Sequence, residues 1–146
     1  VKALTIWQPW ATLIMIGAKP HEFRGYPAPR FVRGQRIVIH AGARPVKPEA
    51  QGSVSVEDRT CLDLDKAREL LLRVRASYKY RLLPTSMALG TAICGAPIQS
   101  CDLFKMNVAD SDRGAFNWAW PLTDIRHFEP PIPMKGAQGF WDAPVQ

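Results

Sequence analysis

The sequence predicts a small α+β barrel of about five to six strands with two or more helices packed on it. Three observations carry that prediction. Short runs with strand-type patterning recur along the chain, at Lys2–Ile6, Arg36–His40, Met87–Ile98, Asn117–Phe128 and again around Phe140 and Trp141. Two stretches show the apolar spacing of helices instead, one after Pro9 and one from Leu62 to Ala76. No internal repeat or linker divides the 146 residues, so the chain is read as one domain over 1–146, long enough to bury a useful core.

Lys2 to Ile6 alternates and holds β-branched residues, which suits a short first strand. Proline fits the first turn of a helix, because the N–H it lacks would be unpaired there, so Gln8-Pro9-Trp10 starts one. Trp10, Leu13, Ile14 and Gly17 fall on one face, and Gly17 suits the left-handed cap that closes a helix. Pro27 and Pro29 make the next stretch extended or looped. Gly34 turns into Arg36–His40, whose three consecutive aliphatics imply burial on both faces. Pro45 to Thr60 is polar and reads as a long mobile loop. In the second helix, Leu64, Ala67, Leu70, Leu71 and Val74 form the apolar stripe, with Asp63 and Asp65 early and Arg73 and Arg75 late, as the helix dipole favours. Met87 to Ile98 reads as a central strand bent at Gly90 or Gly95, and Pro121 puts the Asn117–Phe128 strand at an edge or a bulge. Pro130, Pro131 and Pro133 predict an extended crossing into the last turn and strand.

Hydrophobic residues at 47% and charged residues at 22% place the chain among globular rather than disordered proteins. No apolar run approaches the roughly 20 residues that span a bilayer. Nothing at the start reads as a signal peptide, and the three cysteines, Cys61, Cys94 and Cys101, are scattered, so a reducing cytoplasm and no membrane are expected. Cys94 is expected to pack inside a strand. Cysteine and histidine spacing predicts no metal, and no cofactor is expected; phosphate-loop, dinucleotide, serine-hydrolase and zinc-protease motifs are missing from the sequence. The formal net charge of +6 favours a polyanionic partner. The local asymmetry says more: Lys19, Arg24, Arg30, Arg33, Arg36 and Arg44 share a stretch in which Glu22 is the sole acid.

The most specific feature is Gly17-Ala18-Lys19-Pro20-His21-Glu22-Phe23-Arg24. If the segment after Pro20 is extended, Glu22 and Arg24 point the same way. Lys19, just past a helix end, is expected to be exposed. A lysine, a carboxylate and an arginine then converge on one pocket. This spacing resembles the GxKxxExR signature of ASCH domains, named for activating signal cointegrator homology. Three further segments are similar to that family: Leu4-Thr5-Ile6-Trp7-Gln8-Pro9-Trp10-Ala11, Ile37-Val38-Ile39-His40-Ala41 and Gly136-Ala137-Gln138-Gly139-Phe140-Trp141. The resemblance spans most of the chain and is weakest between Pro45 and Pro84. It implies a PUA-like barrel, a class that binds RNA, with helix and motif lining a cleft. Some ASCH relatives deacetylate N4-acetylcytidine with a lysine corresponding to Lys19, but they carry threonine where this chain has Glu22. Others are ribonucleases or RNA-binding modules.

RNA or a nucleoside is therefore the expected ligand, with Trp7, Gln8, Pro9, Lys19, Glu22, Arg24, His40 and Arg44 as the candidate binding set. The alternatives are a small hydrolase in the same cleft, a ribonuclease or N4-acetylcytidine amidohydrolase with Lys19 and Glu22 catalytic, and a protein-interaction module. Lys19 can hold a phosphate or oxyanion, or act as a base if burial lowers its pKa. Glu22 can accept from a base amino group, work as a general acid or base, or hold Lys19 or Arg24. Arg24 suits bidentate phosphate contact. Trp7 precedes the helix and is the better stacking platform, whereas Trp10 has the phase of a core residue. His40 ends a strand, where a structural role or a general base both fit. Thr85 and Ser86 follow Pro84 and suit a turn, with a hydroxyl available to a site.

Overall fold

The computed structural model describes residues 1–46, 62–77, 83–105 and 117–145. Cys61 and the expected loop beyond Val46 lie outside them. Strands β1 (Lys2–Ile6), β2 (His21–Arg24), β3 (Gln35–Ala41), β4 (Met87–Cys94), β5 (Ile98–Gln99), β6 (Trp118–Pro133) and β7 (Phe140–Asp142) form one mixed sheet. Its order is β2-β6-β4-β3-β1-β7, with β5 on β6. Helices α1 (Trp10–Met15), α2 (Leu64–Ser77) and α3 (Ser100–Leu103) pack against it. The result is a curled half-barrel of the small α+β kind that the strand and helix patterning predicts.

β3 runs through the middle, parallel to β1 and antiparallel to β4. Its aliphatic triplet is buried on both faces, as expected. Ile37 and Ile39 join Leu4, Ile14, Leu89, Trp120 and Leu122 inside the curl, while Val38 turns to Ala3, Ala88 and Ala143 behind it. Each large side chain removed from water this way contributes about 1.5–3 kcal/mol. Cys94 is fully buried in β4, where loss of hydration pushes its thiol up to about 11 and leaves it inert.

β6 is longer than the sequence implies, running straight through Pro130 and Pro131. A proline cannot donate to a sheet ladder, so the continuation needs a place where no donor is required. The β4–β6 register supplies it: Ala88 pairs with Ile132 but Gly90 pairs with His127, so residues 128–131 of β6 stand in a break. Gly90 sits at the same break, as its sequence position suggested. A Cβ there would come 2.1 Å from the Arg126 carbonyl oxygen and 2.5 Å from Met15 Cε, so the strands approach this closely only over glycine.

The two ends of the sheet, β2 and β7, are not hydrogen-bonded to each other. Side chains fill the seam instead. Trp120 from β6 stacks on Phe140 of β7 at 5.8 Å and 13°. Arg24 of β2 reaches the Thr5 carbonyl of β1 with an Nη2 to oxygen distance of 3.5 Å.

Candidate functional site

α1 begins one residue later than expected. Pro9 is its N-cap, and Gln8 acts in place of a capping side chain: its Oε1 accepts from the Thr12 amide at 3.0 Å and its Nε2 donates to the Pro84 carbonyl at 2.8 Å. The Gln8 amide is thereby committed to backbone. Gly17 takes φ +78°, the left-handed close predicted for it, and the Ala18 and Lys19 amides both turn back onto the Leu13 carbonyl at 2.9 and 3.0 Å. This cap delivers Lys19 inward. It is only 3% exposed, a correction to the expected exposed lysine, and its ammonium lies 5.5 Å from the Trp10 ring centroid and 5.2 Å from that of Phe23. The physical reason is the pair of aromatic faces, which accept a desolvated cation that bare apolar surface would reject.

β2 is extended, so its side chains alternate. Glu22 and Arg24 share a face, whereas His21 and Phe23 turn the other way towards Phe104 of the α3 end. Burial, and next the nearby Lys19 charge, hold the His21 imidazole below its ordinary value. On the opposite face Arg24 Nε stands 3.3 Å from Glu22 Oε1. The second carboxylate oxygen, Oε2, is buried and has no hydrogen-bond partner among the described residues; Arg24 Nε is likewise without a well-aligned bond.

That face forms one wall of a cleft of about 580 Å³. The end of β1, at Thr5 to Trp7, and Trp10 supply a second wall; His40, Gly42 and Ser86 lie at the base, and the 135–139 loop between β6 and β7 closes the far side. The volume lies within the range of small-ligand sites. Trp7 is 57% exposed, and the Arg44 guanidinium carbon sits 4.4 Å over its ring centroid. A Cβ on Gly42 would come 3.1 Å from Trp7 Cδ1, so this glycine sets the indole against the strand.

His40 is 1% exposed and both ring nitrogens are engaged. Nε2 is 2.9 Å from the Met134 carbonyl oxygen, which can only accept, so Nε2 carries the proton. Nδ1 then accepts from the Thr5 hydroxyl at 3.2 Å, and that oxygen accepts from Trp141 Nε1 at 3.0 Å. His40 thus ties β1, β3, β7 and the cleft loop together.

The structure brings Trp7, Glu22, Arg24 and His40 to the cleft, with Arg44 above Trp7. It sets Gln8 and Pro9 behind, in the cap of α1, and Lys19 behind Trp10 and Phe23. Trp10 both packs on the core and faces the cleft. Sequence reasoning passed over Lys135 and Gln138, because the signal, a Gly-rich turn ahead of a terminal strand, says nothing of where the turn folds. The remaining arginines divide by partner. Arg33 donates to the Ala28 carbonyl at 2.7 Å, and Arg36 bonds Asp124 and Thr91. Among the described residues no cluster of three or more His, Cys, Asp or Glu could hold a metal ion, and no helix is long and apolar enough to cross a membrane.

The model of the ASCH domain family matches residues 4–132. Among solved structures, the crystal structure of ASCH from Zymomonas mobilis is similar, with a TM-score of 0.48 and 18% identity over 90% of this chain and 72% of that one. A serine-to-alanine variant of the same Zymomonas mobilis protein gives a TM-score of 0.48 and 19% identity over 91% and 73%. No curated protein matches significantly.

Proposed function

We propose that this chain, which belongs to the ASCH domain family, takes an unstacked base of RNA, or a nucleoside, into the cleft beside Glu22 and reads its amino edge there. One observation carries the reading. Glu22 Oε2 is buried in a cleft wall without a hydrogen-bond partner among the described residues, and a carboxylate oxygen left so is costly unless a donor arrives. An ionised carboxylate can only accept. An exocyclic amino group of a nucleobase is a flat, neutral donor of the right kind. The surroundings support it: Trp7 and Trp10 offer ring faces for stacking, and Arg44 and Lys135 offer cations to the phosphates beyond.

The same carboxylate argues against amide hydrolysis in this cleft. Such a reaction needs donors at the developing oxyanion, and an ionised Glu22 would repel it. Binding and recognition are therefore the reading, with chemistry on the strand as the alternative that turnover assays would reveal.

Titration with cytidine, adenosine and uridine tests the proposal, followed by amide and tryptophan indole shifts in NMR spectra. The expected result is perturbation concentrated at Trp7, Glu22, Arg24 and Ser86. Perturbation confined to surfaces away from these residues would refute it, and release of product during the titration would make the chain an enzyme.

A further inference from the structure

The seam between β2 and β7 carries a line of rings that the cleft does not use. Trp120, stacked on Phe140, also meets Tyr26 in a T-shaped contact at 5.6 Å. Phe140 in turn meets Phe31 in a T-shaped contact at 5.9 Å. Trp120 is wholly buried, but the two flanking rings are not: Tyr26 is 48% and Phe31 58% exposed. The line starts at the cleft, where the Arg24 guanidinium lies 6.0 Å from the Trp120 centroid. Gly25 and Tyr26 follow Arg24 directly, and Phe140 follows Gly139 of the cleft loop.

Two features set these rings apart from scattered surface hydrophobics. They are held: Pro27 and Pro29 restrict the backbone between them, and the Trp120 indole donates to the Tyr26 carbonyl at 3.1 Å. They also stand in basic surroundings. From Phe23 to Arg44 the sequence holds five arginines and no acid. Arg30, next to Phe31, is exposed and has no ion pair among the described residues, whereas the Lys2 ammonium, 5.8 Å from the Phe31 centroid, is already paired with Asp142 at 2.9 Å. Rigid exposed rings beside a cation that can meet a phosphate match the stacking platforms that carry single strands.

We infer that Tyr26 and Phe31 form a stacking platform continuous with the cleft, so that the ligand is a single RNA strand of several nucleotides whose flanking bases lie on these rings. The inference rests on the reading that the cleft holds one base. Arg30 meets a phosphate between them.

The test compares a mononucleoside with tri-, penta- and heptanucleotide RNAs, for the wild type and for Tyr26→Leu, Phe31→Leu and Tyr26→Trp, with melting curves as the control for folding. Wild-type affinity is expected to rise with length. Each leucine variant loses about fivefold or more of oligonucleotide affinity, the loss of one stacked base, while nucleoside affinity stays unchanged. Tyr26→Trp, which keeps a ring, retains the oligonucleotide affinity. Arg30→Gln weakens only the oligonucleotides and makes their salt slope shallower by about 0.7. Oligonucleotides that bind no tighter than the nucleoside, or leucine variants that bind them normally, overturn the platform. So does a change of oligomeric state in those variants with RNA affinity intact, which would make the patch a protein contact. Oligonucleotide binding that the leucine variants lose, without any nucleoside binding, upholds the platform and refutes the cleft reading.

Discussion

His40 Nε2 donates to the Met134 carbonyl oxygen across 2.9 Å, and this bond fixes where the cleft loop begins. Two residues on, Gly136 lies flat against the same imidazole. A Cβ there would stand 2.4 Å from His40 Cε1 and 2.7 Å from Thr5 Oγ1. Gly136→Ala therefore has to lift the loop off the ring or turn the ring from its bonds. We predict a stability loss of about 1–3 kcal/mol in chemical denaturation, as for other overpacked sites, together with weaker nucleoside binding. Normal stability and binding would show that the loop is not seated on His40.

Lys19 has a different consequence from the one its sequence position suggests. It is buried between two aromatic rings, so Lys19→Ala removes packing as well as charge. The expected cost is about 2 kcal/mol or more. Parallel denaturation and binding measurements decide it: unchanged stability with binding abolished would put Lys19 among the groups that touch ligand.

Acid should weaken the fold through His21. Its folded pKa is held below the ordinary 6.5, by burial first and Lys19 second, so the unfolded chain takes up a proton that the folded chain resists. The contribution is complete above pH 6.5 and is lost as pH falls from there towards the lowered folded value. His21→Gln should flatten the melting temperature across this window relative to the wild type. Parallel curves for the two proteins would contradict the assignment.

Strands, helix caps and the Glu22–Arg24 alignment were legible in the sequence because each depends on local rules: alternation, a glycine at a helix end, proline before a helix. What the sequence hid depends on distant partners. The span of β6 through Pro130 follows from a register break opposite Gly90, some forty residues away in the chain. The inward course of Lys19 follows from ring faces on α1 and β2. The basic stretch looked uniform, yet Arg33 and Arg36 are committed to backbone and to Asp124, while Arg30 and Arg44 remain exposed.

That division limits the electrostatic part of RNA binding. Among the described residues, Arg30, Arg44 and Lys135 are exposed cations beside the cleft and platform. With about −0.7 per phosphate met, the slope of log affinity on log salt should be near −2 for a pentanucleotide. A flat response would show that these cations meet no phosphate, and a slope several times steeper would mean that other cations engage.

Whether Glu22 reads a base is tested by calorimetric titration of cytidine against uridine, for the wild type and for Glu22→Gln. Cytidine brings an amino group to Glu22 Oε2, whereas uridine brings a carbonyl oxygen to the same place. A hydrogen bond to a charged group contributes about 1.5–3 kcal/mol, so the wild type should prefer cytidine by roughly tenfold or more. Glu22→Gln should erase most of that preference, because an amide can donate as well as accept. Equal affinity of the wild type for the two nucleosides, unaltered by Glu22→Gln, would contradict the claim that Glu22 reads a base.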